Sequence, residues 1–178
     1  MYINNNYFEL FNLPVDFEVD LNLLTHRFRE LQKVTHPDKF ANGGEKERLY
    51  SVQQAARIND GFTVLKSPFL RARYILELKG IELNDSTNTI MDPQFLMQQM
   101  ELREALDAAK QSNTPLDAVE EVLDQIEQLH DEVNRSIQLM FSEANPDYMK
   151  IADKVRKLQF FLRLREEANN LAAQFDHD

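Results

Sequence analysis

An all-α fold is predicted by three features of the chain. Only four of its 178 residues are glycine, long stretches are built from Leu, Glu, Gln, Ala, Lys and Arg, and apolar residues return at three- and four-residue intervals. A hydrophobic content of 43% is enough for a core in one domain or in two small ones. The polar, turn-rich segment IELNDSTNTIMDP separates two helical regions. The expected organisation is therefore a first domain over 1–79, a linker over 80–91 and a second domain over 92–178.

Local signals justify each element. YFELFNLP gives a short first helix that stops near Pro14, because the residue before a proline is pushed out of the helical region. Asp20 caps a second helix, in which Leu21, Leu24, Phe28 and Leu31 recur at three and four while His26, Arg27, Arg29 and Lys33 populate other faces. It must end before Pro37. Leu49, Val52, Ala56, Phe62 and Leu65 mark a third amphipathic helix. In SPFLRARYILELKG, Ser67 caps a fourth, Pro68 occupies its first turn and Gly80 closes it.

Three longer helices follow. One runs from about Asp92 to Lys110. The next begins at Thr114 and Pro115 and repeats Leu116, Val119, Leu123, Ile126, Leu129, Val133, Ile137 and Met140. The last begins at Asn145 and Pro146 and repeats Ile151, Val155, Leu158, Leu162, Ala168, Leu171 and Phe175. Short connections make successive helices antiparallel, so the second domain is an antiparallel three-helix bundle.

Composition narrows the function. With no cysteine there is no disulfide, no thiolate nucleophile and no protein-thiolate metal site. His26, His36, His130 and His177 have no ligand spacing on a common helical face, so no resident metal or cofactor is expected. No stretch approaches the roughly 18 apolar residues of a membrane span, and MYINNNYFEL lacks the pattern of a signal peptide; a cytoplasmic protein without membrane association is expected. A net charge of −10 argues against nucleic-acid binding as the main task. That charge is uneven: residues 1–79 carry 11 Lys+Arg against 10 Asp+Glu (net +1), and residues 80–178 carry 9 against 20 (net −11). Two differently charged halves predict two different surfaces.

KVTHPDKFANGG places His36, Pro37 and Asp38 between a basic amphipathic helix and a glycine pair. As a helix stop, the tripeptide needs no further role. As a catalytic pair it fails, because Pro37 holds His36 and Asp38 apart and no nucleophile or phosphate cradle accompanies them. No enzyme is expected. Taken with YFELFNLP, with Phe28 and Arg29 of the preceding helix and with INDGFTVLKSPFLRARYIL, the order and spacing over about residues 2–79 resemble the J-domain family. The resemblance implies a short-helix-braced helical hairpin that stimulates ATP hydrolysis by DnaK-class chaperones. His36, Pro37 and Asp38 would carry the stimulation, beside a basic face including Arg27, Arg29 and Lys33. Pro37 would fix the backbone, Asp38 would supply charge for a basic group, and His36 would brace the loop or donate a hydrogen bond.

No glycine-rich or zinc-binding segment follows. Instead HPDKF, the early start of the first domain and an acidic helical tail containing FLMQQMELREAL resemble the HscB co-chaperones of iron–sulfur cluster biogenesis, over nearly the whole chain. The resemblance implies two partners, an HscA-like chaperone and an IscU-like cluster scaffold. The alternative is a general J-domain co-chaperone presenting unfolded clients.

Helical geometry points to a binding face on its own terms. Phe95, Leu102, Leu106 and Ala109 fall within about 40° of one line, the inward stripe. Leu96, Met97 and Met100 lie about 100°, 200° and 140° from Phe95, on the side of Glu101, Glu104 and Asp107. Large apolar residues among carboxylates do nothing for the inner core and suit a partner, or else packing beneath the first domain. Phe160 lies about 200° from Leu158, off the Val155, Leu158 and Leu162 stripe. The family resemblance then implies a scaffold site of Leu96, Met97, Met100, Glu101, Glu104 and Phe160. Gln98, Ala105 and Ala108 stand where members often have glutamates, which lowers the expected electrostatic share.

Overall fold

A computed structural model describes residues 6–35, 44–83 and 92–176. These form seven helices and no strand: α1 Tyr7–Leu10, α2 Leu21–Thr35, α3 Glu45–Lys66, α4 Pro68–Leu78, α5 Pro93–Lys110, α6 Pro115–Phe141 and α7 Tyr148–Phe175. The chain divides into two compact units, Met1–Leu78 and Lys79–Asp178. His36, Pro37 and Asp38, His177, and most of the 80–91 linker lie outside the described residues.

In the first unit, α1 has only four residues and needs external support to persist. Asn6 and Glu9 form a capping box at its start, with Asn6 Oδ1 accepting from the Glu9 N–H at 2.9 Å. At its end Asn12 takes a left-handed φ of 53°, which asparagine tolerates better than most residues. Arg27 of α2 donates to the Phe11 carbonyl at 2.6 Å and also to the Asn12 carbonyl, so the loose end of α1 is latched. α1 packs on α3 at Gly61, where an added Cβ would come within 2.8 Å of Tyr7 Cδ1. Any side chain there must displace the Tyr7 ring. The Tyr7 N–H donates to Tyr74 Oη of α4 at 2.9 Å.

α2 and α3 pair antiparallel, because Phe28 stacks on Phe62 at 4.0 Å and Gln32 Nε2 donates to Asn59 Oδ1 at 3.5 Å. The inward line of α3 differs from expectation. Ser51, Gln54, Ile58, Gly61 and Leu65 are buried, whereas Leu49 and Val52 are 59% and 52% exposed and Ala56 is exposed. Leu49, Val52 and Ala56 lie about 180°, 120° and 160° from Ile58. Apolar residues are scattered around this helix, so their spacing alone selects the outer line as readily as the inner one. Ser51 is admitted to the interior because its hydroxyl donates to the Arg48 carbonyl at 2.7 Å. α4 starts as expected, with Ser67 Oγ accepting from the Leu70 N–H at 3.3 Å; just beyond it Gly80 takes φ 78°, the left-handed stop that favours glycine.

The second unit is a bundle of α5, α6 and α7. Its core joins Phe95, Leu102, Leu106 and Ala109 from α5, Val119, Val122 and Ile126 from α6, and Phe161, Leu164 and Ala168 from α7. Full burial of each large apolar side chain stabilises by roughly 1.5–3 kcal/mol. α7 begins two residues later than Asn145 suggests, because Asp147 is the cap: its Oδ1 accepts from the Lys150 N–H at 3.2 Å. The inward line of α7 is also rotated. Phe161 lies at its centre with Leu158, Leu164 and Ala168 within about 60°, while Leu162 is only half-buried. A helix that contacts two neighbours buries a wide arc, so the centre of its stripe is not fixed by one row of leucines.

Candidate functional site

The outward face of α5 rests on a firmly anchored first turn. Pro93 occupies the first helical position, and Asp92 Oδ1 accepts from the Gln94 and Phe95 N–H groups at 3.1 and 3.4 Å. Its other oxygen receives Lys157 Nζ from α7 at 2.5 Å. The same ammonium lies 5.0 Å from the centre of the Phe95 ring. The hydrogen bond from Lys157, helped by the Phe95 and Gln94 N–H groups, holds the Asp92 carboxyl below the ordinary carboxylate range, against the opposing effect of desolvation. With Phe95 itself 3% exposed, the start of α5 is pinned to α7 by both charge and packing.

On this turn Leu96, Met97 and Met100 are 43%, 63% and 61% exposed, and Glu101 and Glu104 are exposed beside them. The inner stripe of the helix, Phe95, Leu102, Leu106 and Ala109, is filled without them. Gln98 and Ala105 are half-buried and Ala108 is exposed, so the carboxylates beside the apolar group are those of Glu101, Glu104 and Asp107.

Phe160 is not an exposed knob. Its half-buried ring meets Phe95 edge-on at 5.5 Å and Phe161 at 5.6 Å, and the Arg103 guanidinium lies 5.8 Å from its centre. The expectation that it points away from the core is corrected: measured from Phe161, it sits about 100° to one side, as Leu162 does on the other. Arg103 and Leu96 lie about 80° and 100° from Phe95 on α5, so Phe160 borders the Leu96 edge of the outward face. It both closes the core and reaches that edge.

On α2, Arg29 and Lys33 are exposed, whereas the Arg27 guanidinium is engaged with the carbonyls that end α1. Arg27 is thus separated from the cationic face expected of it, because an arginine one turn from α1 can satisfy two backbone acceptors at once. His26 pairs with Glu30 at 3.4 Å. Lys157 and Arg103 carry no signal in the sequence: the capping role of Asp92 is readable from Asp-Pro, but its ammonium partner lies 65 residues away. Among the described residues, no three His, Asp or Glu side chains are grouped to hold a metal ion, and no helix is long and apolar enough to cross a membrane.

A helical hairpin latched by short helices, followed by a three-helix bundle, is the architecture of a J-domain co-chaperone. Residues 91–169 match the family model described as the HSCB C-terminal oligomerisation domain. The chain is 44% identical over 173 residues to the co-chaperone protein HscB homolog of Shewanella halifaxensis, spanning 96% of this chain and 99% of that relative. To the homolog from Shewanella baltica it is 46% identical over 163 residues, spanning 91% and 94%. Its fold is similar to that of the chaperone HscB from Vibrio cholerae, with a TM-score of 0.84, 41% identity and coverage of 96% and 99%. Human co-chaperone protein HscB gives a TM-score of 0.85 at 29% identity, covering 94% of this chain and 82% of that one. The chain belongs to the HscB family of co-chaperones.

Proposed function

We propose that this chain is an adaptor in iron–sulfur cluster biogenesis, binding an IscU-like cluster scaffold on α5 and delivering it to an HscA-like, DnaK-class chaperone whose ATPase it stimulates. The observation that carries the reading is the exposure of Leu96, Met97 and Met100 on a helix whose inner stripe is already complete. Exposed apolar side chains of this size, rimmed by Glu101 and Glu104, suit a protein partner with a complementary apolar patch. Phe160 supports the Leu96 edge of that surface. At the other unit, Arg29 and Lys33 form the exposed cationic part of the chaperone contact, His36, Pro37 and Asp38 carry the stimulation, and Arg27 keeps α1 in place.

The mechanism is linkage. One chain holding both partners raises the scaffold's effective concentration at the chaperone while hydrolysis closes the chaperone's substrate site. The chain itself supplies no bond-making chemistry in this scheme. A titration of purified scaffold protein against the chain, with chaperone ATPase followed in parallel, tests it. Saturable scaffold binding together with ATPase stimulation is expected; binding of extended unfolded peptides in place of the folded scaffold would favour a general J-domain co-chaperone.

A further inference from the structure

We propose that Met97 and Met100 are a paired oxidation site, and that their conversion to methionine sulfoxide by hydroperoxides switches off partner binding at the α5 face. The inference rests on the reading of that face as the scaffold surface.

The chain has no cysteine, so its soft, oxidisable sulfur is confined to six methionines. Among the described residues Met97, Met100 and Met149 are 63%, 61% and 61% exposed, while Met140 is half-buried. Met97 and Met100 are three residues apart on α5, about 60° from one another around the helix, and so project side by side. Together with Leu96 they make up the large apolar side chains exposed on that helix. Two of the three exposed thioethers among the described residues therefore lie one turn apart on the contact face.

In each event the sulfur lone pair attacks a peroxide oxygen and the O–O bond breaks; with hydrogen peroxide the oxygen now on sulfur gives up its proton, the departing hydroxide takes up one, and the products are the sulfoxide and water. The thioether loses two electrons and the peroxide gains them. The product is a polar, chiral side chain carrying a strong acceptor. Placed in an apolar contact without a donor opposite it, that acceptor lowers affinity by about tenfold or more. Neither sulfur belongs to the bundle core, so the change acts on binding and not on folding.

The full chain is treated with dilute hydrogen peroxide, and oxygen uptake at each methionine is followed by peptide mass spectrometry. Met97 and Met100 should oxidise several-fold faster than Met140, with far-UV circular dichroism unchanged. Affinity for a purified IscU-type scaffold is then compared before and after oxidation within each variant. It should fall about tenfold in the wild-type chain and in Met149→Leu, and the after-to-before ratio should stay near one in Met97→Leu/Met100→Leu. Affinity that survives full oxidation, an equal fall in the double leucine variant, or a loss of helix content that accompanies the fall overturns this inference alone. Failure of the unoxidised chain to bind the scaffold overturns the scaffold reading and this inference with it.

Discussion

The exposed faces of α2 and α5 differ in the kind of force they offer a partner. On α2, Arg29 and Lys33 hold charge on long, solvated side chains, whereas α5 shows Leu96, Met97 and Met100 with Glu101 and Glu104 at their margin. Charge acts at a distance and mainly sets how fast partners meet; apolar contact acts at touch and mainly sets how long they stay. The proposed function assigns the first kind of contact to the chaperone and the second to the scaffold. The α2 side also shows that a basic residue near a basic face is not part of it by default, since Arg27 spends its guanidinium on α1.

The largest expected effect lies next to α2. His36→Gln or Asp38→Asn should abolish stimulation of the chaperone's ATPase while leaving helix content and unfolding temperature nearly unchanged. Stimulation that survives both substitutions would reduce the tripeptide to a helix stop. On the α5 side, Phe160→Ala should differ in kind from changes at Leu96. Because Phe160 also packs on Phe95 and Phe161, its truncation should cost about 1–3 kcal/mol of bundle stability as well as scaffold affinity. Denaturant melts of the two variants side by side give the contrast, and equal stabilities would place Phe160 wholly outside the core.

Smaller effects sharpen the same comparison. Arg29→Glu or Lys33→Glu should slow chaperone association several-fold and weaken its salt dependence, since exposed charges are screened over about 8–10 Å at physiological ionic strength. Arg27→Ala should instead lower the stability of the first unit, read as faster amide exchange in α1. The smallest effect concerns the anchor of α5. The carboxyl of Asp92 is held below its ordinary range by Lys157, so its contribution to stability is present above the unfolded-state pKa of about 3.9 and fades as pH falls through the folded value. The gap in unfolding temperature between wild type and Asp92→Asn should therefore be widest near neutral pH, start to narrow near the unfolded value of about 3.9 and close only as pH falls through the lower folded value.

What was legible in the sequence follows from which interactions are local. Helix starts marked by Asp20, Ser67 and Asp92 were readable because a cap and its N–H partner lie within three residues, and the start at Pro115 because proline suits the first helical position. The inner stripe of α5 was readable because that helix has one buried side, which also left Leu96, Met97 and Met100 legible as outward residues. α7 buries a broader arc, so the position of Phe160 depended on which residue centred that arc, a tertiary fact. On α3 the buried line includes Ser51, Gln54 and Gly61, residues whose type gives no hint of burial. The Arg27 latch and the Lys157–Asp92 pair join residues 15 to 65 positions apart, beyond any local pattern.

The central claim is that α5 carries a partner surface that the fold itself does not need. It is tested most directly by the triple variant Leu96→Ala/Met97→Ala/Met100→Ala, with thermal unfolding and scaffold affinity measured on one preparation. Interface anchors commonly lose more than about 1 kcal/mol each on truncation, so affinity should fall at least about tenfold while the unfolding temperature stays near that of the wild type. A large drop in unfolding temperature with scaffold affinity intact would contradict the account, assigning these side chains to packing and the scaffold site to another surface.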